Sequence, residues 1–210
     1  MHLNRFVFII IIKSKVMRQI RVKEAIEENI ELMSSILHDT IFMSQISQLA
    51  DIMVKSLRKG GTIFFCGNGG SAADAQHLAA ELSGRFYFDR DPLPAEALHC
   101  NTSYLTAIAN DYGFEYVYER LIRGNGKKGD VLIGLSTSGN SLNITKAFET
   151  AKNLDITTIA FTGENGGKLK EIADYILQIP STDTPRIQEA HILIGHIICE
   201  LIETEMFIEE

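Results

Sequence analysis

Five short apolar runs, "TIFFCG" (62–67), "AEALHC" (95–100), "DVLIGLS" (130–136), "ITTIAFTG" (156–163) and "YILQIP" (175–180), are each followed by a turn signal and a helical pattern. Strands that alternate with helices pair in parallel through right-handed crossovers, and unbroken apolar runs suit strands buried on both faces. The expectation is an α/β protein, a three-layer sandwich. Upstream, from Val22 to Arg58, Ile26, Ile30, Met33, Ile36 and Leu37, then Ile41, Ile46, Leu49, Ile52, Met53 and Leu57, recur mostly at three- and four-residue steps. That spacing predicts two helices with a break near Asp39. The last helix should start at the "STDTP" turn, where Ser, Thr and Asp can cap and Pro185 can take the first turn, and run to about Glu203. Its apolar residues Ile187, Ile192, Leu193, Ile194, Ile197, Ile198 and Leu201 surround it almost completely, which calls for burial, including burial between subunits.

A chain of 210 residues builds one sizeable core. We expect a single domain over 17–210, its strands preceded by helices, with residues 1–16 as an N-terminal extension. In that extension Phe6 to Ile12 is an unbroken apolar run behind Arg5. It is shorter than the roughly 20 residues a bilayer span needs, and no small-residue cleavage site follows. It reads as an added helix, an added strand, a targeting or anchoring segment, or the result of a start placed upstream of Met17. With 27 acidic against 20 basic residues, the net charge of -7 offers no general attraction for nucleic acid or an anionic membrane. The partner is expected to be small, with any anion caught locally by backbone dipoles. Cys66, Cys100 and Cys199 lack the paired spacing of a zinc ribbon or disulfide framework, which fits a reducing cytoplasm.

Two turns carry the binding chemistry. After the first strand, Gly67-Asn68-Gly69-Gly70-Ser71 opens a helix whose unpaired N–H groups would face a ligand. Alone, this is equally a tight corner. It matches neither the dinucleotide fingerprint nor the phosphate loop of nucleoside triphosphatases, so no nucleotide cofactor is expected. After the third strand, "LSTSGNS" places Ser136, Thr137, Ser138 and Ser141 around Gly139 at another helix start. One hydroxyl would suffice for capping; four could hold the oxygens of a phosphate monoester.

The third constellation is His77 and Glu81, four apart, with Gln188 and His196, eight apart on the last helix. Each pair shares one helix face. These polar groups interrupt apolar helices, and leaving them dry without partners would cost several kcal/mol, so convergence is expected. Two imidazoles, a carboxylate and an amide oxygen make a shell for a divalent metal, zinc above all; the same set could act as acid and base without metal. His191 lies on another face and is read as structural.

With these residues in view, "CGNGGSAADAQHLAAELSGRF", "TAIANDYGFE", "GDVLIGLSTSGNS" and "STDTPRIQEAHILIGH" resemble the phosphoheptose isomerases of the sugar isomerase (SIS) domain superfamily, in order and with compatible spacing from about Met17 to Ile208. The resemblance implies a flavodoxin-like sheet of five parallel strands and a homotetramer with active sites at subunit interfaces. It also implies conversion of D-sedoheptulose 7-phosphate into D-glycero-D-manno-heptose 7-phosphate, the first step toward the ADP-heptose of outer-surface lipopolysaccharide. Substrate contacts would fall on Asn68, Gly69, Gly70, Asn110, Asp111, Ser136, Thr137, Ser138, Ser141 and Gln188, and one zinc ion per subunit on His77, Glu81, Gln188 and His196. The chain departs from the usual family pattern in its first sixteen residues and in Asn101, where an aspartate is frequent.

An aldose–ketose shift needs a base to move a proton between carbons and an acid to serve the neighbouring oxygens. Glu81 suits the first role and His196 the second. Two rivals remain at this point. One is a binding-only member of the superfamily, an adaptor for the replication initiator protein, which has no use for Glu81 and His196 on facing helices. The other is an isomerase of a shorter sugar phosphate, which would keep the same groups and change only pocket length.

Overall fold

The computed structural model describes residues 2–208, with side chains from residue 17 onward; the apolar run of residues 6–12 therefore lies outside the described side chains. Two compact units are present, 1–38 and 39–210. The first is one helix, α1 (His2–His38). Its surface carries a 2.7 Å Arg21–Glu28 ion pair, a Lys23–Glu27 pair at 3.3 Å, and exposed Ile26 and Ile30.

The second unit starts at the expected break. Asp39 caps α2 (Thr40–Arg58), its carboxylate accepting the N–H groups of Ile41 and Phe42 at 3.0 Å each. The chain then alternates β1 (Ile63–Gly67), α3 (Gly70–Ser83), β2 (Ala95–Ala97), α4 (Thr102–Asp111), a short 3-10 turn, α5 (Val117–Asn125), β3 (Val131–Leu135), α6 (Leu142–Asn153), β4 (Thr157–Thr162), α7 (Leu169–Ile172), β5 (Tyr175–Gln178) and α8 (Thr184–Phe207). All five strands pair in parallel in the order β2-β1-β3-β4-β5, the flavodoxin-like arrangement. Every residue of β1 and β3 is buried, as expected of strands covered on both faces.

Alternation along the strands sorts side chains into two layers. Phe64, Cys66, Leu132 and Ala160 pack with Val117, Tyr118 and Ile122 of α5 and Ile144, Ala147 and Phe148 of α6. The opposite face is covered by α2, α3 and α8. β2 is shorter than its apolar run: Leu98 still donates to the Phe65 carbonyl, but Cys100 turns back to Ala97, which ends the strand at the sheet edge. Asn101 caps α4 through Tyr104 N–H at 3.0 Å. An amide oxygen caps a helix about as well as a carboxylate does.

Within the single chain, the burial expected of the last helix is incomplete. α8 is not buried all round, since Leu193 and Leu201 are 45% and 37% exposed. They share a face of the helix that no element of this chain's second unit covers.

His191 is fully buried, its ring 5.6 Å from that of Phe161, and its Nε2 donates to the Thr162 carbonyl at 3.2 Å. Burial pushes its pKa down to about 4, against the opposing pull of the Thr162 hydrogen bond. A folded-state value below the unfolded one means that His191 costs nothing above about pH 6.5 and destabilises as pH falls toward 4, where the unfolded chain binds a proton the folded chain refuses. The total is about 3 kcal/mol. His191→Leu should therefore flatten the fall in urea-unfolding stability between pH 6.5 and 4; parallel curves for both proteins would rule this out.

Candidate active site

β1 and β3 are neighbours at the point where strand order reverses, and the turns leaving their carboxyl ends open α3 and α6 side by side. This is the crevice where open parallel sheets take ligands. Neither helix start uses a side-chain cap. Gly69 bends the first turn at φ +57, and Gly70 leaves room for Gln188, whose amide nitrogen would lie 2.8 Å from an added Cβ. Two features tie the turns together. Asn68 and Asn143 exchange amide hydrogen bonds at 3.0 and 2.8 Å, and the Tyr118 hydroxyl donates to the Gly67 carbonyl.

In the serine turn, Ser136 and Ser141 hydroxyls meet at 2.9 Å, and Ser138 accepts from Asn140 N–H. Ser141 stands at the start of α6 without capping it. Its hydroxyl is thus directed at Ser136, which answers the plain capping alternative for this position. Gly139 has φ +65 and lies against the 163–168 loop, to which the turn is joined by Leu169 N–H to the Gly139 carbonyl at 3.0 Å and Lys168 N–H to Asn140 at 3.1 Å.

The His77, Glu81 and His196 side chains come together, offering three ligand atoms within 4.8 Å of one another. His77 Nε2 lies 2.8 Å from His196 Nε2 and 3.3 Å from Glu81 Oε1. Within the single chain the burial expected here is partial, with the side chains of His77 and Glu81 49% and 21% exposed. Convergence comes from α3 packing along α8. A tetrahedral shell with zinc–nitrogen bonds of about 2.0–2.1 Å spaces its nitrogens about 3.3 Å apart, so this trio fits an ion once the imidazoles part slightly. His77 adds one further neighbour, Asp74, a turn earlier, with a buried carboxyl oxygen that has no hydrogen-bond partner; burial pushes that carboxyl up, partly offset by His77.

Gln188 sits at the other end of the crevice, donating to the Ser71 hydroxyl at 3.3 Å. Asn110 and Asp111 are exposed at the end of α4 and hydrogen-bond to each other at 2.8 Å; no recorded bond joins them to the other candidates. Sequence reasoning missed Asn143, Tyr118, Arg90 and Glu203. Only Glu203 left a trace, as a carboxylate inside an apolar helix.

The SIS domain family model matches residues 26–163. The phosphoheptose isomerase of Clostridium acetobutylicum is 50% identical over 189 residues, covering 90% of this chain and 96% of that protein. The phosphoheptose isomerase of Mycobacterium tuberculosis is 48% identical over 185 residues, covering 88% and 94%. Among solved structures, the phosphoheptose isomerase of Neisseria gonorrhoeae superposes with a TM-score of 0.83 at 43% identity, covering 89% of this chain and 98% of that one. That of Francisella tularensis gives 0.84 at 35% identity, covering 88% and 97%.

Proposed function

The chain belongs to the SIS domain family, among its phosphoheptose isomerases, and from that membership we propose that it converts D-sedoheptulose 7-phosphate into D-glycero-D-manno-heptose 7-phosphate. The observation that carries this reading is one crevice with two unlike ends. Two uncapped helix starts and the paired hydroxyls of Ser136 and Ser141 stand at one, and a carboxylate with two imidazoles stands at the other. From Gly70 to His77 is seven residues, about 10 Å along α3. A substrate whose phosphoester and carbonyl lie at opposite ends of its carbon chain suits that layout.

The phosphate is held by the hydroxyls of Ser136, Thr137, Ser138 and Ser141, with the N–H groups opening α6. Asn68, Gly69, Gly70 and Gln188 line the sugar, with Asn110 and Asp111 as further contacts. Glu81 removes the proton from C1; its electron pair forms the C1–C2 double bond while His196 gives a proton to the C2 oxygen, producing the enediol. His196 then takes the C1 hydroxyl proton as the C1 carbonyl forms, and Glu81 returns its proton to C2, which completes the aldose and restores both groups. His77, Glu81 and His196 would hold one zinc ion, which when bound would supply Lewis-acid polarisation of the sugar oxygens; Gln188, expected as a fourth ligand, has its amide against Gly70 and Ser71 at the other end of the crevice and serves as a sugar contact. A binding-only protein has no use for Glu81 and His196 in contact range.

The assembly is a homotetramer with the site at subunit boundaries. The open side of the His77 cluster and the exposed Leu193 and Leu201 support that reading. Among the described residues no helix is long and apolar enough to cross a membrane; a cytoplasmic enzyme supplying ADP-heptose synthesis is the setting we assign.

The test compares seven-, six- and five-carbon ketose phosphates, with and without a zinc chelator. Selective turnover of the seven-carbon ketose, lowered at least about tenfold by chelation and restored by Zn2+, is expected. Equal turnover of a five-carbon substrate would reject the heptose assignment, and full activity in chelator would reject the metal.

A further inference from the structure

Arg90 and Glu203 take no part in the chemistry above, yet their side chains are 2% and 0% exposed and meet at 2.7 Å. Glu203 also accepts the backbone N–H groups of Phe86, Tyr87 and Phe88 at 3.1, 2.6 and 3.1 Å. Burial pushes this carboxyl up, but those N–H groups and the Arg90 guanidinium outweigh it and hold it below the usual carboxylate range. The pair is thus a satisfied buried ion pair, not a stranded charge.

Its reach explains its interest. Arg90 donates to the carbonyls of Glu81 and Leu82 at 2.9 Å each, and of Gly84 at 3.2 Å. These are the carbonyls that the end of a helix leaves without partners, and a cation there also complements the helix dipole. The helix so capped is α3, and Glu81, one of the capped residues, bears the reacting carboxylate. Glu203 lies on α8, seven residues or two turns beyond His196. The segment it clamps places the Phe86 ring 5.7 Å from the His196 ring at 30°, with Tyr87 packed 4.5 Å behind Phe86. Phe207 closes the outer side, its ring 5.3 Å from the guanidinium carbon.

We infer that the Arg90–Glu203 pair is a latch joining the end of α3 to α8, that it sets the spacing of His77 and Glu81 against His196, and that both residues are positioning residues for the isomerase. The inference rests on the proposed reaction, because it gives that spacing its purpose. A displacement near 1 Å in such a cluster can cost about 10²-fold in rate.

Arg90→Lys keeps a positive charge beside Glu203, but one ammonium cannot span the carboxylate and the carbonyls of α3 as the guanidinium fork does. We expect kcat to fall about 10- to 100-fold, with KM for the seven-carbon ketose phosphate within about threefold, because the serine turn is untouched. Zn2+ affinity measured by chelator competition should weaken about 10- to 100-fold, and the visible absorption of Co2+ bound in its place should shift. A lower melting temperature with kcat, Zn2+ affinity and Co2+ spectrum all unchanged would overturn the latch and leave a stabilising pair. Phe86→Leu leaves the ion pair whole and loosens only its contact with His196; a kcat loss of about 3- to 10-fold and a shifted Co2+ spectrum are expected. If Arg90→Lys does not fold, unchanged kcat and spectrum in Phe86→Leu overturn the proposal. The metal measurements need no substrate. Wild-type protein that turns over no ketose phosphate, while Arg90→Lys still weakens Zn2+ binding, would sink the reaction and keep the latch; neither turnover nor metal binding would sink both.

Discussion

Glu81→Gln should lower kcat by about 10²- to 10⁴-fold while the dissociation constant for a seven-carbon ketose phosphate stays within about threefold of wild type. The substitution keeps the shape of the side chain and one oxygen facing His77, whose Nε2 lies 3.3 Å from Glu81 Oε1 in the wild type. What it removes is the proton transfer at carbon that we propose for Glu81. Affinity should persist because the phosphate site proposed above lies elsewhere, at the turn where the Ser136 and Ser141 hydroxyls meet. Steady-state kinetics with isothermal titration of the same variant separates the two quantities. Undiminished turnover would take Glu81 out of the mechanism, and an equal loss of binding and rate would make it a binding group.

The second large effect lies at the other end of the crevice and has the opposite signature. Gly139→Ala should raise KM by about 10- to 100-fold, the loss of one hydrogen bond to a charged group, with a smaller change in kcat. The backbone there has φ +65, and a Cβ would collide with the Gly166 carbonyl and lie 2.8 Å from Gly167 N. The left-handed conformation alone costs about 1–2 kcal/mol with a side chain. Because both contacts are backbone atoms, the serine turn or the 163–168 loop must move. Initial-rate kinetics and a thermal melt on the same sample test this: unchanged KM would show that the turn does not hold the phosphate.

The two variants together probe what could be read from the sequence. Alternating strands and helices gave the five parallel strands, and the break at Asp39 was legible because an N-cap has a local signature. His77 and Glu81 were legible as a pair because four-residue helical spacing sets them on one face of α3, whereas the eight-residue spacing of Gln188 and His196 on α8 did not bring Gln188 to the cluster. The Asn68–Asn143 exchange and the Arg90–Glu203 pair were not legible. Their partners stand 75 and 113 residues apart, and no period links positions brought together only by the packed sheet and helices. Which surface covers the last helix was not legible for a related reason. The apolar residues of α8 show that the helix is covered, but not whether the cover comes from its own chain, and Leu193 and Leu201 stay open in the single chain.

The most direct test of the whole account is a crystal structure of Glu81→Gln soaked with D-sedoheptulose 7-phosphate. The phosphate should sit among the Ser136, Thr137, Ser138 and Ser141 hydroxyls, with C1 and C2 within about 3.5 Å of the residue 81 side chain and the C2 oxygen in hydrogen-bond reach of His196. A sugar bound with its carbonyl end turned away from both groups, in every subunit of the assembly, would contradict it.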